Sequence, residues 1–305
     1  MKLLITGGLG FLARQFVEEL VKKGKNVKAF CNYNSFGKHG WIETIDKKVV
    51  KDIEIISGDV RDPWCIQKNM KGCDKVFHLA ALIGIPYSYI SPLAYIRTNV
   101  EGTYNILESA KNLGLEQVLI ASTSETYGTA LYTPIDENHP LVGQSPYSAS
   151  KIAADQLALS YYKSFDLPVK IIRPFNTYGP FQKSNMEGGV VSIFVKQSFN
   201  GESLNVYGDG SQTRDLLYVE DCVEFLYRAS RNERAVGEVI NAGLGKDIAI
   251  KDLARLVCSD ESRICQVPHH HPQSEIQKLV CDNSKAQILL DWEPKVDLKT
   301  GIDKM

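Results

Sequence analysis

The 305-residue chain lacks a dominant charge: 35 basic residues stand against 36 acidic ones, interspersed, for a formal net charge of −1. No basic stripe offers a surface to nucleic acid. It also lacks any apolar run near the roughly 18 residues that a membrane-spanning helix requires. Its first residues, MKLLITGG, meet glycine too soon for a secretory signal. These absences lead one to expect a cytoplasmic protein with neither nucleic acid nor membrane as partner. Cysteine pairing is missing as well. Cys31, Cys65, Cys73, Cys222, Cys258, Cys265 and Cys281 are odd in number and form no C-x-x-C, so reduced thiols are expected. The one metal-like run is His269-His270-His271. Adjacent side chains in extended chain diverge, and Pro268 and Pro272 bracket the run, so it reads as a loop lining or covering a cleft, with no metal expected.

What the chain has is alternation. Apolar strands read at Lys2–Thr6, Asn26–Cys31, Ile53–Ser57, Lys75–Ala80, Gln117–Ser122 and Val169–Arg173. Helical patterns fall between most of them, notably Leu12–Gly24, Thr98–Leu113 and Ser148–Phe165. Strand, helix, strand over some 170 residues implies the α/β class, a Rossmann doubly wound parallel sheet. After Pro174 glycine and proline become frequent. Val190–Phe199 reads as a helix there, and Glu238–Asn241 as a return to the sheet. The expected division is a dinucleotide-binding domain over 1–173 plus about 215–242, with a smaller C-terminal α/β lobe over about 174–214 and 243–305. There are no internal repeats or low-complexity tracts. Gly301–Met305 reads as the start of a helix, as in a chain cut short.

Gly7-x-x-Gly10-x-x-Ala13 joins the first strand to the first helix. Glycines there let the backbone approach a pyrophosphate, and the helix N-terminus adds N–H groups and positive potential. The second strand ends Phe30-Cys31-Asn32-Tyr33-Asn34-Ser35, without the acid that a bare ribose would engage. Asn32, Asn34 and Ser35 can donate to a 2′-phosphate, although no arginine stands with them, which tips the expectation slightly toward NADP over NAD. Asp59, in Gly58-Asp-Val60, has two readings: a place near the adenine, or an ordinary turn-forming aspartate.

The chemical groups gather further along. Tyr147 and Lys151 lie four apart on one helix face. A lysine beside a tyrosine stabilises phenolate, whose ordinary pKa of about 10 must fall for it to act as a base. Thr123 and Glu125, in STSETYG, are expected to point the same way where the fifth strand ends. Thr123 can hydrogen-bond the hydroxyl that Tyr147 deprotonates. Glu125 is either a local cap or ion-pair partner, or the acid/base of an elimination, in which a proton beside a new ketone is removed and a neighbouring hydroxyl departs as water.

The motifs TGGLGFLA at 6–13, GDVRD at 58–62, HLAA at 78–81, NVEGTYNILESA at 99–110, STSETYG at 122–128, SPYSASK at 145–151, RPFNTYGP at 173–180 and GDGSQTRDLLYVEDC at 208–222 span nearly the whole chain. Together they resemble the extended short-chain dehydrogenase/reductases of the NAD-dependent epimerase/dehydratase family. Ser-Glu after Thr123 is similar to the nucleotide-sugar 4,6-dehydratases. YNSFGKHGW at 33–41, AALIGIPYSY at 80–89 and GQSPYSASKIAADQLALS at 143–160 are similar to the dehydratases of the legionaminic acid pathway. The resemblance implies a GDP- or UDP-linked N-acetylglucosamine as substrate and a 4-keto-6-deoxy sugar as product. It implies a tightly bound NAD(P)+ held by Gly7, Gly10, Phe11, Leu12, Asn32, Asn34, Ser35, Asp59, Val60, Leu79, Ala80, Ala81, Tyr147 and Lys151. Thr123, Ser124, Glu125, Tyr147 and Lys151 are the implied catalytic set, and Tyr87, Ser88, Asn176 and Arg214 the implied substrate contacts. Related dTDP-glucose dehydratases carry Thr-Asp-Glu; with Ser124 in the middle place, Glu125 has to serve as both base and acid. Arg214 holds the diphosphate in this reading, or pairs with Asp215 or Asp221 in the alternative, and the aromatics of the loop 85–89 either face the sugar or pack the lobe. Helices 98–113 and 148–165 carry surplus apolar surface, with Leu157, Tyr161, Tyr162 and Phe165 as examples, and the family implies a homodimer through a four-helix contact.

Three rivals remain open. A 4-epimerase shares the 208–221 motif but has no clear use for Glu125. A nucleotide-sugar (UDP-glucuronate-type) decarboxylase shares Thr-Ser-Glu but needs a cation for the sugar carboxylate, and the 82–91 loop supplies no arginine. A non-catalytic NAD(P)-binding regulator would be expected to lose Tyr147 or Lys151.

Overall fold

The computed structural model describes residues 1–185, 187–269 and 271–305. Twelve strands are placed among them: β1 Lys2–Thr6, β2 Asn26–Asn32, β3 Ile53–Gly58, β4 Lys75–His78, β5 Gln117–Ala121, β6 Val169–Pro174, β7 Asn176–Tyr178, β8 Leu204–Tyr207, β9 Thr213–Tyr218, β10 Val239–Ala242, β11 Asp247–Ala249 and β12 Ile264–Val267. Seven of these form one sheet in the order β10-β6-β5-β4-β1-β2-β3. Every pairing in it is parallel. This is the doubly wound sheet read from the alternation, and Glu238–Asn241 does return to it, as β10. The order reverses beside β1, which pairs with β2 on one side and β4 on the other, so a crevice opens at its carboxyl end.

Beyond β6 the chain builds a second layer over the strand ends. β11, β9 and β7 form a three-stranded sheet, and β12 pairs with β8. The helix Val190–Phe199 lies where its apolar period predicts. Gly243 sits against Asp215 and Cys281, so close that a Cβ there would come within 2.4 Å of the cysteine Cβ. Asp215 accepts backbone N–H groups from Leu244, Gly245 and Cys281, tying this layer together. Its carboxyl is pushed up to about 6 by burial, against those hydrogen bonds.

Two helices differ from their expected extents. The helix expected from Ser148 begins at Pro146, because Ser145 and Ser148 form a reciprocal capping box. The helix expected from Thr98 is helical already from Pro92, and Ile96–Glu101 is wound as a π-helix before Gly102–Leu113. Asn99 in that widened turn clamps the chain after β4, donating to Leu82 O (3.0 Å) and accepting from Leu82 N (2.9 Å). The loop expected at 85–89 is the short helix Ile85–Ile90. All seven cysteines are free. No helix among the described residues is long and apolar enough to cross a membrane.

Candidate active site

The glycine turn after β1 has the shape a dinucleotide requires. Gly7 has φ +78, and a Cβ on it would stand 2.7 Å from Ala80 N, so only glycine lets β1 and the end of β4 lie this close. Gly10 caps the helix Phe11–Lys22 without a side chain, leaving the first N–H groups of Phe11 and Leu12 for a ligand. Beneath the turn the proton positions can be assigned. Thr103 Oγ1 donates to Asn99 O (2.6 Å) and so accepts from His78 Nε2 (3.1 Å). His78 Nδ1 therefore accepts from Thr6 Oγ1 (2.8 Å), which in turn accepts from Ala80 N (3.2 Å). Burial pushes His78 down to about 3, which keeps this neutral relay intact. Leu79, Ala80 and Ala81 are thus fixed at the crevice wall.

At the adenosine end one of the expected donors is partly engaged. Asn34 spends its amide on its own loop, donating to Lys38 O (2.6 Å) and accepting from Phe36 N and Lys38 N. One of its two amide N–H groups is thus engaged within the loop and the other is not, and the side chains of Asn32 and Ser35 have no partner among the described hydrogen bonds. Asp59 serves as the turn former, accepting from Arg61 N (2.9 Å), and also pairs with the Arg61 guanidinium. With Asp62, Arg97 and Glu101 the two line a recess of about 450 Å³. Val60 is buried against Gly102.

At the chemical end, Thr123 and Glu125 converge by a different route from strand alternation. β5 ends at Ala121, and Ser124–Tyr127 form a 3-10 turn capped by Thr123, whose hydroxyl accepts from Glu125 N (3.2 Å). Ser124 is buried in that turn. Tyr147 is buried, hydrogen-bonded to the Thr123 side chain, and edge-on to Tyr95 (6.2 Å). Burial drives its phenol well above the ordinary tyrosine value, with the Thr123 bond pulling it back down and the Glu125, Tyr95 and Asp155 charges pushing it up. The lowered phenol expected from Lys151 is therefore not a property of the protein groups alone, because desolvation outweighs the other influences. Lys151 is also buried and donates to Ala121 O (2.8 Å). Burial pushes its ammonium down and Asp155, one turn on, holds it up.

Asp155 was not singled out by sequence. It is fully buried, accepts from Ser122 Oγ (2.7 Å) and pairs with Arg173 (3.0 Å), whose NH1 continues to Tyr127 OH (3.0 Å). Its place four residues after Lys151 was the available signal, since that spacing shares a helix face.

Glu125 is half-buried on the cleft floor. Its carboxyl is raised, first by desolvation, with Arg214 opposing and the Glu275 charge adding to the rise. Arg214 pairs with neither Asp215 nor Asp221. NH1 donates to Thr213 O (2.9 Å) and Ile276 O (2.7 Å), and NH2 to Glu275 Oε1 (2.6 Å). Of its five N–H groups, Nε–H and one on NH2 remain for a ligand. Glu275 also meets His269 Nε2 (2.7 Å), while His269 Nδ1 accepts from His271 N (3.0 Å). His271 lies against Tyr89 (ring centroids 4.0 Å), whose hydroxyl meets Ser274 (2.7 Å). His269 and His271 thus pack onto Glu275 and Tyr89; His270 lies outside the described residues, and no metal-binding cluster is found among the described residues. Asn176, the first residue of β7, has its Oδ1 buried without a hydrogen-bond donor among the described residues, as a ligand contact would be. Tyr87 is open at the cleft rim, whereas Ser88 is buried and gives its hydroxyl to Ile85 O (2.7 Å), so its side chain faces its own helix.

A doubly wound sheet with a close-packed glycine turn at its switch point, and a Thr-Tyr-Lys set beside a half-buried glutamate, define an extended short-chain dehydrogenase/reductase. The enzyme class is that of NAD-dependent nucleotide-sugar dehydratases, epimerases and decarboxylases. The chain belongs to the GDP-mannose 4,6 dehydratase family, whose profile matches residues 4–305. Among solved structures it is similar to Pal from Bacillus thuringiensis, with 41% identity, a TM-score of 0.93, and coverage of 100% of this chain and 97% of that one. It is also similar to DesIV, the dTDP-glucose 4,6-dehydratase from Streptomyces venezuelae solved with NAD and TYD bound, with 27% identity, a TM-score of 0.91, and coverage of 99% and 94%. A UDP-N-acetyl-alpha-D-glucosaminuronate decarboxylase of Bacillus cytotoxicus is 34% identical over 311 residues, covering 98% of this chain and 94% of the relative.

Proposed function

We propose that this chain is a nucleotide-sugar 4,6-dehydratase acting on a GDP- or UDP-linked N-acetylglucosamine. The observation that carries the reading is Glu125: a carboxyl raised by desolvation, in the cleft that also holds Tyr147 and Arg214. The glycine turn, the Ala80 wall and Lys151 would hold a dinucleotide, which would supply a hydride acceptor for the oxidation at C4 and the same hydride for the reduction at C6. The protein's own work is proton transfer and placement. Thr123 and Tyr147 hold the C4 hydroxyl, and the phenol oxygen takes its proton once ionised. Glu125 takes the proton from C5 and gives one to the departing C6 hydroxyl, since Ser124 offers no acid in the middle place. A carboxyl raised above its ordinary value by desolvation suits both halves of that task. Arg214 and Asn176 hold the diphosphate.

An epimerase has no proton for Glu125 to move. Decarboxylation of a nucleotide-linked uronate is the second reading, favoured by the printed names of relatives. Against it, a raised carboxyl and Glu275 flank Arg214, a poor setting for a third carboxylate. Incubation with GDP-, UDP- and dTDP-hexoses and uronates, read by mass spectrometry, separates the two: loss of water supports dehydration, and loss of carbon dioxide overturns it.

The lean toward NADP rests on the missing acid with Asn32, Ser35 and the unengaged N–H of Asn34, and paired NAD+ and NADP+ titrations test it. The homodimer reading rests on Ile90, Leu93, Ile96, Tyr104 and Phe165, exposed large residues on the two helical segments and the turn before them. Tyr161 does not contribute, because it is buried and bonded to Glu108 (2.7 Å), and Tyr162 packs over Gly237. Sedimentation should show Tyr104→Glu/Phe165→Glu as a monomer where the parent protein is a dimer; an unchanged mass rejects this contact.

A further inference from the structure

Gly40–Thr44, the turn that follows the β2 loop, lies against the glycine turn. Gly40 has φ +59, and a Cβ on it would meet Leu9 O at 2.9 Å. Trp41 N reaches the same oxygen (3.5 Å). From the other side, the chain after β7 brings Pro180 to the first helix, where Gln15 Nε2 donates to Pro180 O (3.3 Å). Phe181 follows with φ +70, a left-handed backbone uncommon for a bulky residue. Its ring lies 5.6 Å from Trp41, and the Arg14 guanidinium lies 4.1 Å over it. Arg14 is held flat by Glu18 (2.6 Å) and Thr44 Oγ1 (3.1 Å).

Topology gives this contact its meaning. β2 lies on one wing of the sheet, and β6, which leads to β7, on the other; the wings part at β1. Loops that start on opposite wings meet here beside the first turn of the helix Phe11–Lys22, where the N–H groups offered to a pyrophosphate stand. Their contact therefore bridges the crevice.

We propose that Trp41, Phe181 and Arg14 form a clasp across the dinucleotide crevice that holds the bound cofactor and opens for its exchange. A reaction that ends in the redox state in which it began gains from such a device, because a cofactor lost part-way leaves a half-converted sugar. The proposal rests on the dinucleotide reading of the crevice and is independent of which sugar is turned over. Phe181→Gly removes the ring and suits the left-handed backbone, so the fold survives it. Trp41→Ala opens the clasp from the other wing, and Trp41→Phe keeps an aromatic face.

The test is release of radiolabelled NAD+, or NADP+ where that is the nucleotide retained, from preloaded protein chased with unlabelled nucleotide, alongside thermal unfolding. Release about tenfold faster in Phe181→Gly and Trp41→Ala, with Trp41→Phe near the parent rate and melting unchanged, is the expected result. Parent-like release from both ring-deleted variants overturns the clasp while leaving the crevice reading intact. A parent protein that retains neither nucleotide overturns the crevice reading, and the clasp with it.

Discussion

The Thr123 hydroxyl is hydrogen-bonded to the buried Tyr147 phenol, and that bond pulls the phenol back down against the desolvation raising it. Removing the bond lets Tyr147 rise further. Thr123→Ala is expected to lose about 10²-fold in turnover and to shift the rate profile toward alkaline pH. Thr123→Ser should keep both near the parent. An Ala variant with an unshifted profile would show that the contact is only packing.

Glu125 ties function to stability in a way pH exposes. Its folded value lies above the unfolded value of about 4.3, so the folded state holds the proton more tightly. Its contribution is therefore most favourable below the unfolded value and is lost as pH rises through the folded one. Glu125→Gln keeps the shape without the charge. It should melt higher than the parent at neutral and alkaline pH, with the difference vanishing near pH 4, while dehydration stops. Equal melting at every pH would mean that Glu125 titrates normally.

Asp155 and Arg173 are expected to behave as one unit. Deleting one partner leaves the other charge buried, so Asp155→Ala should cost about 3–5 kcal/mol of unfolding free energy. Asp155→Leu/Arg173→Met should recover much of that loss in denaturant titrations. It should still turn over poorly, because the charge holding Lys151 up is gone. Full activity in the double variant would confine the pair to a structural role.

Arg214 keeps two N–H groups once Thr213, Ile276 and Glu275 have taken theirs, and the proposed function assigns them to the diphosphate. Arg214→Ala should raise KM about 10²-fold or more with a smaller change in kcat, and weaken UDP or GDP binding in calorimetry. A kcat loss with KM unchanged would place the arginine elsewhere in the reaction.

The sheet was legible because buried parallel strands such as Val118–Ile120 read as unbroken apolar runs between helical periods. Tyr147 and Lys151 were legible because helical spacing alone puts them together. What escaped was set by distant chain. Glu275, itself joined by His269, reaches Arg214 from 61 residues away, and no local pattern announces an ion pair of that separation. The burial that raises Tyr147 depends on Tyr95 and on packing that spacing does not encode. The 3-10 turn after Thr123 was hidden for a related reason: STSETY reads equally well as a strand end, and only the capping bond to Glu125 N decides it.

The central claim is that Glu125 moves a proton in an elimination. Its most direct measurement is the mass and cofactor state after a single turnover with the substrate panel, in the parent and in Glu125→Gln. The account predicts a product lighter by one water with no net reduced cofactor in the parent, and in Glu125→Gln a sugar of unreduced water content with reduced cofactor accumulating. Loss of water at the parent rate in Glu125→Gln, or a parent product of unchanged mass, would contradict it.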